Sequence, residues 1–546
     1  MGDVGSGFSS AAGIFRSLCS PPPPPSAGDS DSSLPEFLFS LAPPPPADKP
    51  AFVDASSGRS LSFADLRRLS GAAASALSAL GLRRGHLALL LSPNSLPFPA
   101  LALSVLSLGA LLSTPNPLLT PSELHALVLD SSPFLVLATL DLAPKLRSLR
   151  TPLPLLVLVE PFLSSLRLNP GPIPIPAVRV SPHDPATLMY SSGTTGKSKG
   201  VVATHRNLVA MARVLRHVWG SEEHVYGCAV PLFHMFGFSV FVCGAIAAGA
   251  TTVMVGAEGR RFAAEEVMRA VAAHRVTRLP AVPPMVVQMA RAARKAQHFD
   301  LSSLREVISS GAPLARQHLE RFGMCFPLVR LSQCYGLTET SGPVTLCDGV
   351  NGRLHLSIGR LIPTVEAKIV DVRTGKPLPP NKDGELWIRG PPVMQGYLNN
   401  QEATALAIDE EGWLRTGDLC YVDTDGLIYV VDRIKELIKY KAYQVAPAEL
   451  EEILSSHPDI LDVAVTSHPD EEAGEIPMAC VVRRGESKIK EEDIISFLEN
   501  KVAPYKKIRK VVFLEYIPRS PSGKILRRLL KATASNQQKL EVSARL

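Results

Sequence analysis

From Leu87 onward, short β-rich runs alternate with apolar helical patterns, and this alternation limits the fold more than any other feature. The runs are "LALLLSP", "TLMYSS", "GVVATH", "TTVMVG", "RLPAVPP", "REVISSG" and "VRLSQCYG". Such alternation over this length calls for a large α/β region with sheets covered by helices. A β-dense stretch follows, "EAKIVD", "GELWIRG" and "LIYVVD", with turns at Thr374-Gly375, Asp383-Gly384 and Asp425-Gly426. The texture then changes. "APAELEEILSSHP" places Pro447 where a first helical turn tolerates it, with Leu450, Ile453 and Leu454 on one face. Strands "DVAVTS", "MACVVRR" and "KVVFLEYIP" and a helix around Ile494–Leu498 complete a small α+β unit.

At 546 residues the chain is too long for one core, and length alone suggests roughly 2–4 domains. Residues 1–49 carry the proline tracts Pro21–Pro25 and Pro43–Pro46 among Ser and Gly, and are expected to form a disordered leader. A large domain is expected over 50–434 and a small one over 435–546, because a buried-looking strand meets a charged run near Asp432–Lys435.

The balance of 57 basic against 51 acidic residues leaves a formal +6 with no Lys/Arg block, so nucleic acid is not an expected partner. The longest apolar run, Ala100 to Leu112, is broken by Ser and Gly and is shorter than the ~20 residues a membrane span needs. It predicts a buried helix, and no transmembrane segment is expected. Eight cysteines include no CxxC pair, which argues against a disulfide framework or a zinc site and for a reduced compartment. Met1-Gly-Asp-Val-Gly-Ser6 matches the N-myristoylation pattern, a short match that Gly/Ser-rich leaders produce by chance. Ala544-Arg545-Leu546 has the small–basic–leucine chemistry of the Ser-Lys-Leu signal, so a peroxisomal import receptor is an expected partner, with the cytoplasm as the other location.

"YSSGTTGKSKGV", from Tyr190 to Val201, contains Gly196-Lys197-Ser198 and invites a P-loop reading. A P-loop is G-x-x-x-x-G-K-[ST] opening directly into a helix whose N-terminus faces the phosphates. Here Ser191 stands where the first glycine belongs, and β-branched residues follow Ser198. The loop therefore joins two strands, with a helix starting only near Asn207. It still has the makings of a phosphate cradle. Ser191, Ser192, Thr194 and Thr195 surround Gly193 and Gly196, and Lys199 supplies charge.

This run resembles the signature loop of acyl-adenylate-forming enzymes, the acyl-CoA synthetase/luciferase superfamily. "PLFHMFGF", "SSGAPL", "CYGLTET", "GELWIRGPPVMQGY", "WLRTGD", "DRIKELIKYKAYQVAPAELE" and "PRSPSGKILRR" match its other motifs in order. "YQVAPAELE" and "SPSGKILRR" are similar to the plant 4-coumarate–CoA ligases and ligase-like proteins. The resemblance implies an α/β fold: a large N-terminal region of α/β layers plus a β-rich subdomain, with a small mobile α+β C-terminal domain. It implies a carboxylate–CoA ligase using ATP and Mg²⁺, forming acyl-AMP and passing the acyl group to CoA. The acid is expected to be a hydroxycinnamate or a fatty or oxylipin-type acid.

The resemblance also implies roles. The 191–199 loop wraps the phosphates, Glu339 holds Mg²⁺, Thr338 bonds the α-phosphate and Tyr335 stacks on adenine. Asp418 takes the ribose hydroxyls with help from Arg433. Lys524, in a small-residue loop, bridges carboxylate and α-phosphate during adenylation. Lys435 matches the hinge about which the small domain rotates, after which Lys439 and Gln444 contact the acyl-adenylate. Lys441, Ala442 and Arg261 line the CoA channel, and His234 gates the site. Phe236, Ala312, Gln333 and Cys334 belong to the acyl-AMP pocket.

Two departures bear on these roles. Ala442 replaces a glycine that lets backbone approach pantetheine, and Cys334 and Ser310 stand where the family prefers glycine, reshaping the pocket floor. Cys334 has no His partner in sequence and is not expected to be a nucleophile. Two other readings remain: an adenylating enzyme with a non-CoA acceptor, and a nucleotide-binding protein without turnover.

Overall fold

The structure, a computed structural model, describes residues 5–23, 31–41, 43–149, 155–168, 178–191, 199–219, 223–256, 262–347, 356–441, 443–470, 473–499, 501–520, 523–527 and 529–533. Their strands form four sheets of seven, nine, six and five strands. The first two carry the parallel strands expected of α/β layers. Leu87–Leu91, Leu111–Ser113, Leu135–Ala138 and Leu155–Leu158 lie parallel in the seven-stranded sheet. Thr251–Met254, Val225–Cys228, Arg278–Ala281, Glu306–Ser309 and Arg330–Leu337 do so in the nine-stranded one. Their near-continuous apolar sequences are what burial on both faces requires. The six-stranded sheet is antiparallel and holds the β-dense stretch, Glu366–Val370, Gly384–Arg389, Leu414–Val422 and Ile428–Arg433. Gly375 and Gly426 take left-handed φ values of +68° and +77° at its turns.

The five-stranded sheet is built from Ile438–Tyr440, Tyr443–Val445, Ile460–Asp470, Gly474–Arg483 and Lys510–Phe513. The helix Pro447–Ser455 buries Leu450 and Leu454 against it, as its periodicity predicts, and Pro447 occupies the first turn. A 3₁₀ turn, Ile434–Glu436, connects this unit to Ile428–Arg433.

The structure corrects two expectations. Residues 1–49 are not a disordered leader over their described part. Phe8–Ser9 and Ile14–Arg16 form a hairpin that joins the six-stranded sheet through Glu366 and Ala367. The helix Leu34–Phe39 is closed by a capping box between Ser33 and Glu36. Averaged composition hid the reason: Phe15, ahead of the first proline tract, and Leu34, Phe37 and Leu38, between the two, are all buried in the main core. Each such side chain contributes about 1.5–3 kcal/mol by leaving water. The apolar run from Ala100 is also not one helix. Phe98–Ser107 is helical, and Leu111–Ser113 is a strand of the seven-stranded sheet. An apolar stretch cannot distinguish buried helix from buried strand by pattern alone, and Gly109, at φ +64°, makes the break.

Candidate active site

The turn that resembled a P-loop has strands at both ends. Pro185–Ser191 and Lys199–Thr204 pair antiparallel, with Ser191 opposite Lys199, and the next helix begins at His205. No helix N-terminus follows the loop directly. Ser192, Gly193, Thr194, Thr195, Gly196 and Lys197 lie outside the described residues, as do Arg261, Ala442 and Ala544-Arg545-Leu546. Lys199 is described, and its ammonium sits 4.7 Å from the ring centre of Tyr397.

Each of the four sheets, or a loop leaving it, supplies a piece of one site. Tyr335, on Arg330–Leu337, donates its phenolic hydrogen to Asp418 Oδ2 at 2.5 Å. Arg433 Nε meets the other oxygen of Asp418 at 3.0 Å, the two residues facing each other across Leu414–Val422 and Ile428–Arg433. The Asp418 side chain is only 3% exposed. Burial raises its carboxyl above the usual range, opposed by Arg433, the Tyr335 hydrogen bond and Lys524. Burial keeps the Tyr335 phenol protonated, so Tyr335 is the donor.

Lys524 reaches the same cluster from the small unit. Burial and the Arg433 charge lower its ammonium, while Glu436 and Asp418 hold it up. Its loop is a tight turn in which Ser520 N–H donates to Lys524 O at 2.8 Å and Gly523 N–H to Ser520 O at 2.8 Å. Gly523 takes φ +83°, and an added Cβ would lie 2.6 Å from Pro284 Cδ. The loop therefore seats on the first turn of the helix Pro283–Arg291, with no room for a side chain at Gly523.

Glu339 follows Thr338 in a 3₁₀ turn, Thr338–Thr340, at the end of the Tyr335 strand. Glu339 Oε1 accepts from Tyr397 Oη at 3.0 Å, and Met394 N–H donates to the Glu339 carbonyl at 2.8 Å. No ion pair joins Glu339 to a cationic side chain among the described residues. A carboxylate held by a neutral donor on one oxygen suits a hard cation with oxygen ligands, so the residues present fit magnesium.

His234 lies at the start of a short helix that runs into the π-helix Phe238–Ala245. Its ring is tilted against Phe233 at 5.8 Å, and burial lowers its pKa, which keeps it neutral. π-Helical turns concentrate at functional sites. Phe236 packs on the main core beside it. Cys334 is buried, its thiol pushed up to about 12 by burial, so it is no nucleophile. Ser310 Oγ donates to the Cys334 carbonyl at 2.9 Å, so the two unusual residues are tied together. Gln333 Nε2 is engaged with the Leu356 and Ser357 carbonyls at 3.3 and 3.4 Å. Ala312 is half-buried ahead of the helix Arg316–Cys325.

Lys435 is exposed in the 3₁₀ turn, and Lys439, Lys441 and Gln444 are exposed on the hairpin that follows. That hairpin is held by Lys439 N–H to Glu475, by Lys441 N–H to Ala473 O and by stacking of Tyr443 on Tyr505. Lys441 takes a left-handed φ of +52°. Sequence reasoning gave no role to Tyr397 or Pro284. "GELWIRGPPVMQGY" resembles a family motif as a block, but no local pattern shows that its tyrosine reaches Glu339.

The family model for AMP-binding enzymes matches residues 41–398, and the model for the AMP-binding enzyme C-terminal domain matches residues 449–524. The chain belongs to the AMP-binding enzyme family. Among its relatives in this family, a 4-coumarate–CoA ligase-like protein of Oryza sativa subsp. japonica is 52% identical over 97% of each chain. The peroxisomal OPC-8:0-CoA ligase 1 of Arabidopsis thaliana is 44% identical over 98% of each. Among solved structures, ATP-bound MatB from Rhodopseudomonas palustris superposes on this AMP-binding enzyme with a TM-score of 0.83 at 25% identity, over 92% of this chain and 99% of that one.

Proposed function

We propose that this AMP-binding enzyme is an ATP-dependent carboxylate–CoA ligase that works through an acyl-AMP intermediate. The observation that carries it is the convergence, from four sheets, of Lys199, Glu339, the Tyr335–Asp418–Arg433 cluster and Lys524. Adenylation is an in-line attack of a carboxylate on the α-phosphorus, with charge growing on that phosphate and on pyrophosphate. Such a reaction needs fixed cations and orientation more than a general base. Asp418 and Arg433 would anchor the ribose, with the Tyr335 ring against adenine. Lys524 would place its ammonium between carboxylate and α-phosphate, and Lys199 would face the β,γ-phosphates with the Ser191–Gly196 turn. Glu339 would hold magnesium, which when bound neutralises phosphate charge. Ala312, Gln333, Cys334 and Thr338 would line the acyl-AMP.

Thioester formation calls for a second arrangement, in which Lys439, Lys441 and Gln444 would take the place of Lys524 beside the acyl-adenylate. Rotation about Lys435 would exchange them, with Arg261 and Ala442 at the CoA channel and His234 at its inner end. Support for a fatty or oxylipin-type acid comes from the apolar surround of His234 and from the OPC-8:0-CoA ligase relative. The peroxisome is the proposed location, supported by Ala544-Arg545-Leu546 and by that relative's name.

ATP–pyrophosphate exchange with a panel of hydroxycinnamates, fatty acids and cyclopentanone-type acids tests the proposal. Exchange with at least one acid, followed by CoA thiol consumption, is expected. Exchange without thiol loss would favour a non-CoA acceptor, and no exchange with any acid would refute both.

A further inference from the structure

Tyr397 stands between two parts of the site that the chain keeps far apart in sequence. Its backbone pairs with Val201 in the strand leaving the phosphate loop, and its N–H donates to Thr404 Oγ1 at 2.9 Å. Gln395 and Leu398 bond the Val202 and Gly200 carbonyls, locking the 394–398 segment along that strand. A Cβ added to Gly200 would meet Leu188 Cδ1 at 2.8 Å and Leu398 Cβ at 3.3 Å, so the approach is as close as glycine allows. One face of the Tyr397 ring carries the Lys199 ammonium at 4.7 Å. Its hydroxyl ends on Glu339 Oε1 at 3.0 Å, and the same segment fixes the Glu339 backbone through Met394 N–H.

We infer that Tyr397 is a positioning residue: its hydroxyl holds Glu339 Oε1 and leaves Oε2 to a divalent cation, coupling the cation site to Lys199 and the phosphate loop. This rests on the adenylating reading. A donor on one carboxylate oxygen fixes the rotamer and decides which oxygen faces the metal. The cation on the ring draws electron density from it and strengthens the O–H as a donor. A phenol serving only packing would need neither a carboxylate partner nor a pinned ring.

The test is direct Mn²⁺ binding to the full chain with a non-hydrolysable ATP analogue, read by electron paramagnetic resonance. Tyr397→Phe is expected to raise the Mn²⁺ Kd about 10–100-fold, the usual effect of removing a partner from a metal-binding side chain. Kd of the analogue without metal should hardly move. Glu339→Gln should weaken Mn²⁺ binding as well, and adding Tyr397→Phe to it should change nothing more. Tyr397→4-aminophenylalanine, which keeps a para N–H donor, should restore binding and serves also if the Phe variant is unstable. An unchanged Mn²⁺ Kd in Tyr397→Phe, or additive losses in the double variant, would overturn the role. Absent pyrophosphate exchange by the wild type, with Mn²⁺ binding still dependent on Tyr397, would instead sink the ligase reading and leave the positioning role standing.

Discussion

The Tyr335 hydroxyl and Arg433 hold opposite oxygens of Asp418, at 2.5 and 3.0 Å, across the junction of two sheets. Removing the hydroxyl with Tyr335→Phe keeps the ring but leaves a buried carboxylate oxygen without its donor. The cost is about 1–3 kcal/mol of stability, measured by denaturant unfolding. Because the lost bond favours the ionised form, Asp418 should titrate still higher. If the carboxylate is the working form, the acid limb of the exchange pH profile moves to higher pH. An unmoved limb would separate Asp418 ionisation from activity.

Lys524 bears on only one half-reaction in the domain-rotation scheme. Lys524→Ala should lower pyrophosphate exchange by about 10²–10³-fold, as for loss of one preorganised donor. CoA thioester formation from supplied acyl-AMP should be largely spared. Equal damage to both steps would refute rotation.

Gly523 is squeezed against Pro284 and has φ +83°. Gly523→Ala adds a left-handed backbone cost of roughly 1–2 kcal/mol and a contact with Pro284. Exchange should fall about tenfold, and Pro284→Ala should recover only the contact part. A full-speed Gly523→Ala would show that the loop does not need this seat.

Asp432 sits beside the connecting turn, and its Oδ2 accepts from Ala448 N–H at 2.9 Å, in the first turn of the helix Pro447–Ser455. Burial raises its carboxyl to about 6 from 3.8, against the pull of Ala448 N–H, Arg527 and Arg433 N–H. The folded chain therefore binds this proton more tightly than the unfolded one. That stabilisation is complete below pH 3.8 and is lost as the pH rises through about 6. Relative to Asp432→Asn, the wild type should lose on the order of 2–3 kcal/mol between about pH 4 and about pH 7. Thermal unfolding of both across that range checks it, and parallel curves would contradict it.

The runs around Leu87, Val307 and Ile428 were legible because buried strands need apolar, β-branched sequence whatever their partners. The strand-to-strand turn at Ser191–Lys199 was legible for the same reason, since "KGVVAT" does not begin a helix. Asp418, Glu339 and Lys524 were legible only through family likeness; singly, each reads as a turn or surface charge. The hairpin at Phe8–Arg16 was hidden because a few apolar residues sat inside a Pro/Ser/Gly background. Tyr397 was hidden for a deeper reason: its partner is chosen by the pairing of Lys199–Thr204 with Gly396–Tyr397, which no local pattern encodes.

The site draws on Lys199, Glu339, Asp418 and finally Lys524, which enters from a loop threaded after all four sheets have their strands. On a ribosome these pieces emerge in that order. A nascent chain can thus assemble the proposed nucleotide cradle while still lacking the ammonium assigned to adenylation in that proposal. On the proposed roles, synthesis itself works as a safety catch: little ATP is spent, and little reactive mixed anhydride released, before Lys524 has joined the other three.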